Sequence, residues 1–129
     1  GLFMMTTIST PNAPAAIGPY SQAKVVNGMV FASGQIPIVP ATGEIAEGDI
    51  TVQAEQVMKN LEEILKAANC GYEDVVKTTC FLAEMAEFGA FNAVYEKYFT
   101  GKPARSCVAV KTLPKNVLCE VEVIAVQKA

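Results

Sequence analysis

The segment over residues 52–69 limits the fold of this 129-residue chain more than any other. Its apolar and charged residues separate onto two faces at the 3.6-residue period of an α-helix. The apolar face holds Val57, Leu61, Ile64, Leu65 and Ala68, and the opposite face holds Lys59, Glu62, Glu63 and Lys66. Either Asp49 or Thr51 can cap the start of this helix, and Gly71 ends it. The helix needs a second layer against which its apolar face can be buried.

Strand patterns on both sides of this helix supply that layer. Apolar runs over residues 23–26 and 29–33 flank Asn27-Gly28, the strongest short signal for a β-hairpin, and a long loop then ends at Gly48. Further segments predict a strand over residues 75–83, a helix over 85–99, and strands over 105–112 and 117–126. The order ββ-α-β-α-ββ predicts an α+β fold with two helices packed on one face of a mixed β-sheet.

The length of the chain fits a single domain over residues 1–129. We expect residues 1–5 to be a tag remnant, a processed leader or a flexible N-terminus without a role in the fold. A hydrophobic fraction of 51% is high for so small a chain, so we expect an oligomer that covers part of the apolar surface. No apolar run approaches the ~18 residues that span a bilayer.

Charge and cysteine usage narrow the class of protein further. The net charge is −3 at pH 7 and the lysines are spread along the chain, which argues against binding to nucleic acid or to a membrane surface. The cysteines, Cys70, Cys80, Cys107 and Cys119, stand far apart, and we expect them to be reduced thiols. These features predict a cytoplasmic protein or one of an organelle matrix, such as that of the mitochondrion.

Arg105 is the only arginine of the chain, which contains no histidine. Ser-His-Asp and Cys-His nucleophiles, a His-ligated zinc ion and imidazole acid–base catalysis are therefore excluded. Arg105 lies in a small, apolar run over residues 103–110 that predicts a buried strand. Its guanidinium can bind the carboxylate or phosphate of a ligand through two hydrogen bonds, or form a structural ion pair with a buried glutamate.

The last two predicted strands place carboxylates near Arg105 if residues 113–116 form the loop of a hairpin. Cys107 then lies opposite Glu122, and Arg105 shares a sheet face with both Glu120 and Glu122. In one interpretation, one glutamate pairs with Arg105 and the other has a raised pKa. In the other, one glutamate forms a plain salt bridge and its neighbour faces solvent. A slip of one residue would move the glutamates to the opposite face.

Three stretches of the chain are similar to signature motifs of the RidA family, also called YjgF. They are APAAIGPYSQA over residues 13–23, SGQIP over residues 33–37, and PARSCV over residues 103–108 followed by Leu113-Pro114 and Glu120-Val121-Glu122. Residues 76–79 and 91–95 fit the family as well. The resemblance extends over residues 7–126, and it shows no departure at a position expected to be essential.

The resemblance implies a chorismate-mutase-like α+β fold and a homotrimer whose sites lie in clefts between subunits. It also implies an activity, the hydrolysis of reactive 2-imino acids and their enamine tautomers, such as 2-aminoacrylate. Imines such as 2-iminopropanoate and 2-iminobutanoate would yield the 2-oxo acid and ammonia, with neither a metal nor an organic cofactor. Family members have also been described as endoribonucleases or translation inhibitors, which the charge balance disfavours. A trimer that binds 2-oxo acids without catalysis is a further alternative.

Residue roles follow from the same resemblance. Arg105 is expected to clamp the substrate carboxylate and Glu120 to orient and activate water, although Glu122 remains open as the group that transfers the proton. The backbone at Cys107 can hold the water or the imine nitrogen. The favoured interpretation of its side chain is a small buried hydrophobic group.

Four more residues are candidates for substrate binding. Tyr20 is expected to line the site, with loop packing as the alternative, and Gly34 offers close approach to a ligand or forms the turn that ends a strand. For Ser33 and Asn92 a structural role is the favoured interpretation, and Asn92 can hydrogen-bond a neighbouring loop.

Overall fold

A computed structural model describes residues 4–129 of the protein. Its helices and strands are β1 (Met5–Ile8), β2 (Ala23–Val26), β3 (Met29–Gln35), α1 (Ile50–Ala67), β4 (Val75–Leu82), α2 (Phe88–Tyr98), β5 (Ala104–Ala109) and β6 (Cys119–Val126). The strands form one mixed sheet in the order β1-β2-β3-β6-β4-β5. Only the β4–β5 pair is parallel among these described strands. The predicted α+β class is confirmed.

Strand β1 is the element that the sequence patterns did not predict. It pairs antiparallel with β2, from Met5 opposite Val26 to Ile8 opposite Ala23. Its residues are mostly exposed at the sheet edge, so the strand lacks the alternation of apolar and polar residues that marks a half-buried strand. Met5, the last residue of the expected added or flexible terminus, begins β1. Residues 1–3 of that segment lie outside the described part of the chain.

The core lies between the two helices and one face of the sheet. Helix α1 packs against β3, β6 and α2, and the predicted apolar side chains Val57, Leu61, Ile64 and Leu65 are fully buried. Burial of each such side chain contributes about 1.5–3 kcal/mol. Asp49 is the cap of α1, since its side chain accepts a hydrogen bond from the Val52 amide at 3.1 Å. No helix within residues 4–129 is long and apolar enough to cross a membrane.

The second face of the sheet carries neither helix. Along β6, the side chains facing the helices are buried, whereas Glu120, Glu122 and Val126 alternate with them on the opposite, open face. Phe31 and Val108 share this open face because they lie in register with Ile124 and, through Phe81, with Glu120. Phe31, Val108 and Val126 are between 42% and 47% exposed. The open face therefore exposes large apolar side chains among charged ones and has no covering layer in the single chain.

The predicted hairpin of the last two strands was wrong. Strand β5 pairs in parallel with β4 at the edge of the sheet, and β6 lies between β3 and β4. The connection over residues 110–118 contains a short helical turn at Pro114–Asn116 and carries the chain past β4 instead of back along β5. Because β5 is an edge strand, Arg105 is exposed and not buried as predicted.

Because of the actual strand pairing, Arg105 does not share a sheet face with Glu120 and Glu122, as the predicted hairpin required. Arg105 lies in register with Thr78, and Thr78 with the buried Val123, so Arg105 and Cys107 lie on the helix side of the sheet. Glu120 and Glu122 lie on the open side. Period-2 alternation predicts which residues of one strand share a face, but the face of one strand relative to another depends on how the two are paired.

Candidate active site

A cleft of about 540 Å³ opens where β3 ends, β6 begins and the N-terminal loop crosses the sheet. Its polar residues are Tyr20, Gln22, Ser33, Gln35, Lys115, Glu120 and Glu122, and its apolar wall consists of Pro14, Ala15, Ile17, Ile36, Ile38 and Pro114. We call this the glutamate cleft. It unites the predicted site residues Tyr20, Ser33, Gly34 and Glu120.

Glu120 lies at the base of the glutamate cleft, directly against Gly34. A methyl group at Gly34 would overlap the Oε2 atom of Glu120 and lie 3.0 Å from its Cδ, so only glycine allows the carboxylate to occupy this position. Burial raises the pKa of Glu120, and the nearby charge of Glu122 raises it further. A carboxyl group with a raised pKa is suited to both accepting and donating a proton.

An irregularity in β3 brings Gly34 to this carboxylate. The register of β3 against β6 shifts between Ala32 and Gln35, as in a β-bulge. The Ser33 amide donates to the Gln22 carbonyl at 2.9 Å, and the Ser33 hydroxyl donates to the Ser21 carbonyl at 2.6 Å. Ser33 therefore ties the shifted segment to the residues that follow Tyr20.

Two buried amide side chains hold the walls of the cleft. Gln22 donates to the carbonyls of Thr10 at 3.0 Å and Pro14 at 2.8 Å, and accepts a hydrogen bond from the Thr10 amide at 2.7 Å. On α1, Asn60 donates to the Ile36 carbonyl at 3.1 Å and the Ile38 carbonyl at 2.9 Å. Neither role was predicted from the sequence. The signal for Asn60 was a polar residue on the apolar face of α1.

Lys115 is a further cleft residue that the sequence analysis did not single out. It follows Pro114 and has a φ angle of 56°, in the left-handed region that favours glycine. The next residue, Asn116, has a φ angle of 54°. The sequence predicts a loop over residues 113–116, but the positive φ at Lys115 is not readable from the residue type.

Arg105 belongs to a second group of residues, on the other side of the sheet. Its Nη1 donates to the Oδ1 atom of Asn92 at 2.6 Å. Its guanidinium carbon lies 4.6 Å from the ring centroid of Tyr95 and 5.3 Å from that of Phe88. We call Arg105, Asn92, Tyr95 and Phe88 the arginine cluster.

No ion pair joins Arg105 to a glutamate in the part of the chain that the structure describes. The pairing of Arg105 with Glu120 or Glu122 inside one chain was therefore wrong, whereas the raised pKa expected for one glutamate is found at Glu120. The physical reason is the strand pairing, which turns Arg105 and the two glutamates toward opposite sides of the sheet.

Cys107 lies beside the arginine cluster and in register with Cys80 of β4. Burial raises the pKa of the Cys107 thiol, although Arg105 partly opposes the shift. The thiol is therefore protonated at neutral pH and is a weak nucleophile. Within residues 4–129, acidic, cysteine and histidine side chains form no group of three suited to a metal ion.

Known proteins resemble this chain over almost its whole length. The family model described as Endoribonuclease L-PSP matches residues 10–127, which include the glutamate cleft and the arginine cluster. A relative from Lactococcus lactis that carries a regulator name, AldR, is 56% identical over 97% of this chain and 100% of its own length. The 2-iminobutanoate/2-iminopropanoate deaminase of Salmonella typhimurium is 49% identical over 97% of this chain and 100% of its own.

A solved structure agrees with these sequence matches. The crystal structure of Escherichia coli TdcF with bound serine has a TM-score of 0.90 to this chain at 42% identity. The match covers 95% of this chain and 99% of that one. The same fold thus occurs in a protein whose crystal structure contains bound serine.

Proposed function

The chain belongs to the endoribonuclease L-PSP family, which is the RidA family, and from this we propose that it is an imine deaminase. It would hydrolyse reactive 2-imino acids, such as 2-iminobutanoate and 2-iminopropanoate, to the 2-oxo acid and ammonia without a cofactor. The observation that carries this proposal is the half-buried carboxyl of Glu120, which has a raised pKa and lies against Gly34 in an open cleft.

The site is shared between two copies of the chain. Arg105 and Glu120 lie on opposite sides of one sheet, and a substrate of a few heavy atoms cannot reach both through the sheet. The working site therefore combines the glutamate cleft of one copy with the arginine cluster of a second. The apolar open face next to the cleft supplies a surface that a neighbouring copy can cover, and closure of this contact in a ring yields the expected trimer.

The reaction follows from these groups. Arg105 of the second copy binds the substrate carboxylate and holds the imine carbon near Glu120. As the oxygen of water bonds to the carbon of the protonated imine, Glu120 accepts a proton from that water. The proton then passes to the nitrogen of the tetrahedral intermediate. As the carbon–nitrogen bond breaks, its electron pair stays with the nitrogen and ammonia leaves. Glu120 accepts the hydroxyl proton as the carbonyl forms and passes it to the ammonia, which departs as ammonium.

Glu120 is better suited to this proton transfer than Glu122. Glu120 is half-buried in the cleft and contacts Gly34, whereas Glu122 is exposed. Cys107 contributes its backbone and not its thiol, because a protonated thiol neither attacks the imine nor supplies a base. Tyr20, which is half-exposed at the cleft, covers the substrate, and Asn92 holds Arg105.

A second candidate function, binding of small amino or oxo acids without turnover, is favoured by the serine found in TdcF. Cleavage of RNA, which the family name suggests, has no support in the charges of this chain. It has a single arginine, no histidine and a net charge of −3.

A coupled assay tests the proposal. Threonine dehydratase generates 2-iminobutanoate in place, semicarbazide traps it, and the purified protein should suppress formation of the semicarbazone. Arg105→Ala should abolish this suppression without dissociating the oligomer, whereas Lys102→Ala, which alters an exposed lysine outside both groups, should not. Full activity of Arg105→Ala would refute the clamp. A folded protein that binds 2-oxobutanoate without suppressing the semicarbazone would support the binding function instead.

A further inference from the structure

The side chain of Arg105 is held in one position although its strand is exposed. An arginine on an exposed edge strand ordinarily samples several rotamers, and ordering it costs conformational entropy. Here one N–H donor is taken by Asn92, and the guanidinium lies over the rings of Tyr95 and Phe88. Most of its five donors remain available to a carboxylate. The clamp is thus oriented before any substrate arrives.

One face of α2 provides all three contacts. Phe88, Asn92 and Tyr95 are spaced four and three residues apart, which places them on the same side of the helix. Of the two ring contacts with Arg105, that of Tyr95 is the shorter, with 4.6 Å between the guanidinium carbon and the ring centroid. Burial raises the pKa of Tyr95, so the ring presents a neutral phenol and attracts the cation through its π-face.

Tyr95 is in turn fixed by a buried hydrogen bond. Its hydroxyl lies 2.8 Å from the Oγ1 atom of Thr78, which is fully buried. Thr78 is also the residue of β4 that lies in register with Arg105 on β5. The backbone and the ring that together determine the position of Arg105 are therefore tied to the same core residue.

We infer that Tyr95 and Thr78 are positioning residues for the carboxylate clamp: the Tyr95 ring is the platform for the Arg105 guanidinium, and the Thr78 hydroxyl holds that ring in place. The inference rests on the proposed function in taking Arg105 as the group that binds the substrate carboxylate. It assigns the two residues an effect on recognition of the carboxylate and not on the proton transfer at Glu120.

Binding of stable product analogues separates this role from a merely structural one. The probes are 2-oxobutanoate and 2-oxobutanamide, in which a neutral amide replaces the carboxylate, and their dissociation constants are measured by calorimetry. Tyr95→Leu should weaken binding of 2-oxobutanoate about fivefold, as expected for the loss of an exposed cation–π contact, and leave that of the amide unchanged. In steady-state kinetics the same variant should raise KM for 2-iminobutanoate more than it lowers kcat.

Milder variants keep the test valid if Tyr95→Leu fails to fold. Tyr95→Phe and Thr78→Val each remove one partner of the hydrogen bond and should weaken 2-oxobutanoate binding by about threefold. The double variant should show the same loss as either single variant, because both changes remove one interaction. Phe91→Leu is the matched control. Phe91 is a fully buried ring on α2, with its centroid 6.0 Å from that of Tyr95, and it makes no contact with Arg105.

The preference for the carboxylate over the amide decides the outcome. Phe91→Leu should lower Tm and leave this preference unchanged. If the Tyr95 and Thr78 variants also keep the wild-type preference, both residues are only structural and the inference is wrong. It is equally wrong if Arg105→Ala binds 2-oxobutanoate as tightly as the wild type. A preference that depends on Arg105 and Tyr95, in a protein that hydrolyses no imine, would support the inference and refute the proposed reaction.

Discussion

At the scale of single residues, the contact between Gly34 and Glu120 determines what the cleft can do. The glycine leaves room for a carboxylate that the side chain of any other residue at position 34 would displace. The carboxylate in turn acquires a raised pKa from burial and from the neighbouring Glu122. The position of the Glu120 carboxylate thus depends on Gly34, and its pKa depends in part on Glu122, although Gly34 is distant from both glutamates in the chain.

Gly34→Ala is expected to displace Glu120 and lower kcat by about 10²-fold, as for other small misplacements of catalytic groups. The new methyl group overlaps the carboxylate itself, whereas the β3 backbone already has a φ that alanine can adopt. The variant should therefore fold, with a Tm close to that of the wild type. Gly89→Ala, where a methyl group meets no neighbour, is the control. Wild-type kcat in Gly34→Ala would show that the position of Glu120 is not important.

Glu122→Gln is expected to move the acidic limb of the kcat/KM profile to lower pH. Removal of the negative charge lowers the pKa of Glu120, which then remains ionised, and able to accept a proton from water, in more acidic solution. Glu96→Gln changes an exposed carboxylate on α2, on the other side of the sheet, and should leave the profile in place. A limb that does not move in Glu122→Gln would mean that another group controls it.

At the scale of elements, α1 both supplies the core and holds one wall of the cleft. Its apolar side chains face the sheet, and from the same face Asn60 reaches the carbonyls of Ile36 and Ile38. The helix that stabilises the fold therefore also determines the shape of the binding surface. A substitution of Asn60 should therefore change both the stability of the fold and the shape of the cleft.

Asn60→Leu, which keeps the branching and the number of side-chain heavy atoms, should lower the free energy of unfolding by about 1–3 kcal/mol, because two carbonyls lose their donor. The KM for 2-iminobutanoate should rise as well, since Ile36 and Ile38 line the cleft. Urea denaturation and steady-state kinetics measure the two effects. Lys59→Leu, at the exposed neighbouring position, should change stability by no more than about 0.5 kcal/mol. Unchanged stability in Asn60→Leu would contradict the role of its hydrogen bonds.

The elements also show which features the sequence could predict. Helix α1 and the β2–β3 hairpin follow from periodicity and from Asn27-Gly28, both of which are local signals. The position of β6 between β3 and β4 depends on pairing across the sheet, which no local pattern specifies. Residue types and family motifs identify Arg105 and Glu120 as candidate site residues without any knowledge of the strand pairing. Their separation by the sheet, and the role of Tyr95 beneath Arg105, required the three-dimensional arrangement.

At the scale of the whole molecule, the proposed reaction needs its two groups of residues from different copies of the chain. The glutamate cleft opens beside the exposed apolar face, and the arginine cluster lies on the helix side near the edge strand β5. In a closed ring of identical contacts, each glutamate cleft would face the arginine cluster of one neighbouring copy. Oligomerisation would then both cover the apolar surface and complete the site.

Mixing of two inactive variants tests this arrangement. Arg105→Ala and Glu120→Gln are each expected to be inactive, but refolding them together at equal concentration should restore activity at about one quarter of the sites, since each site then combines two independently drawn copies. The measurement is the suppression of semicarbazone formation by the mixture. Refolding each variant alone is the control. A mixture as inactive as its components would place both residues of a site within one chain.

The placement of Arg105 and Glu120 on opposite sides of one sheet also has a genetic consequence. An allele that alters both residues would encode chains that assemble normally with wild-type chains and spoil the sites on either side of them. In a cell carrying both alleles, activity would fall below the share of wild-type protein, so the allele would be dominant. A destabilising allele that prevents assembly would be recessive. The placement of the two residues on opposite faces of the sheet thus determines whether a mutant chain would inactivate sites that it shares with wild-type chains.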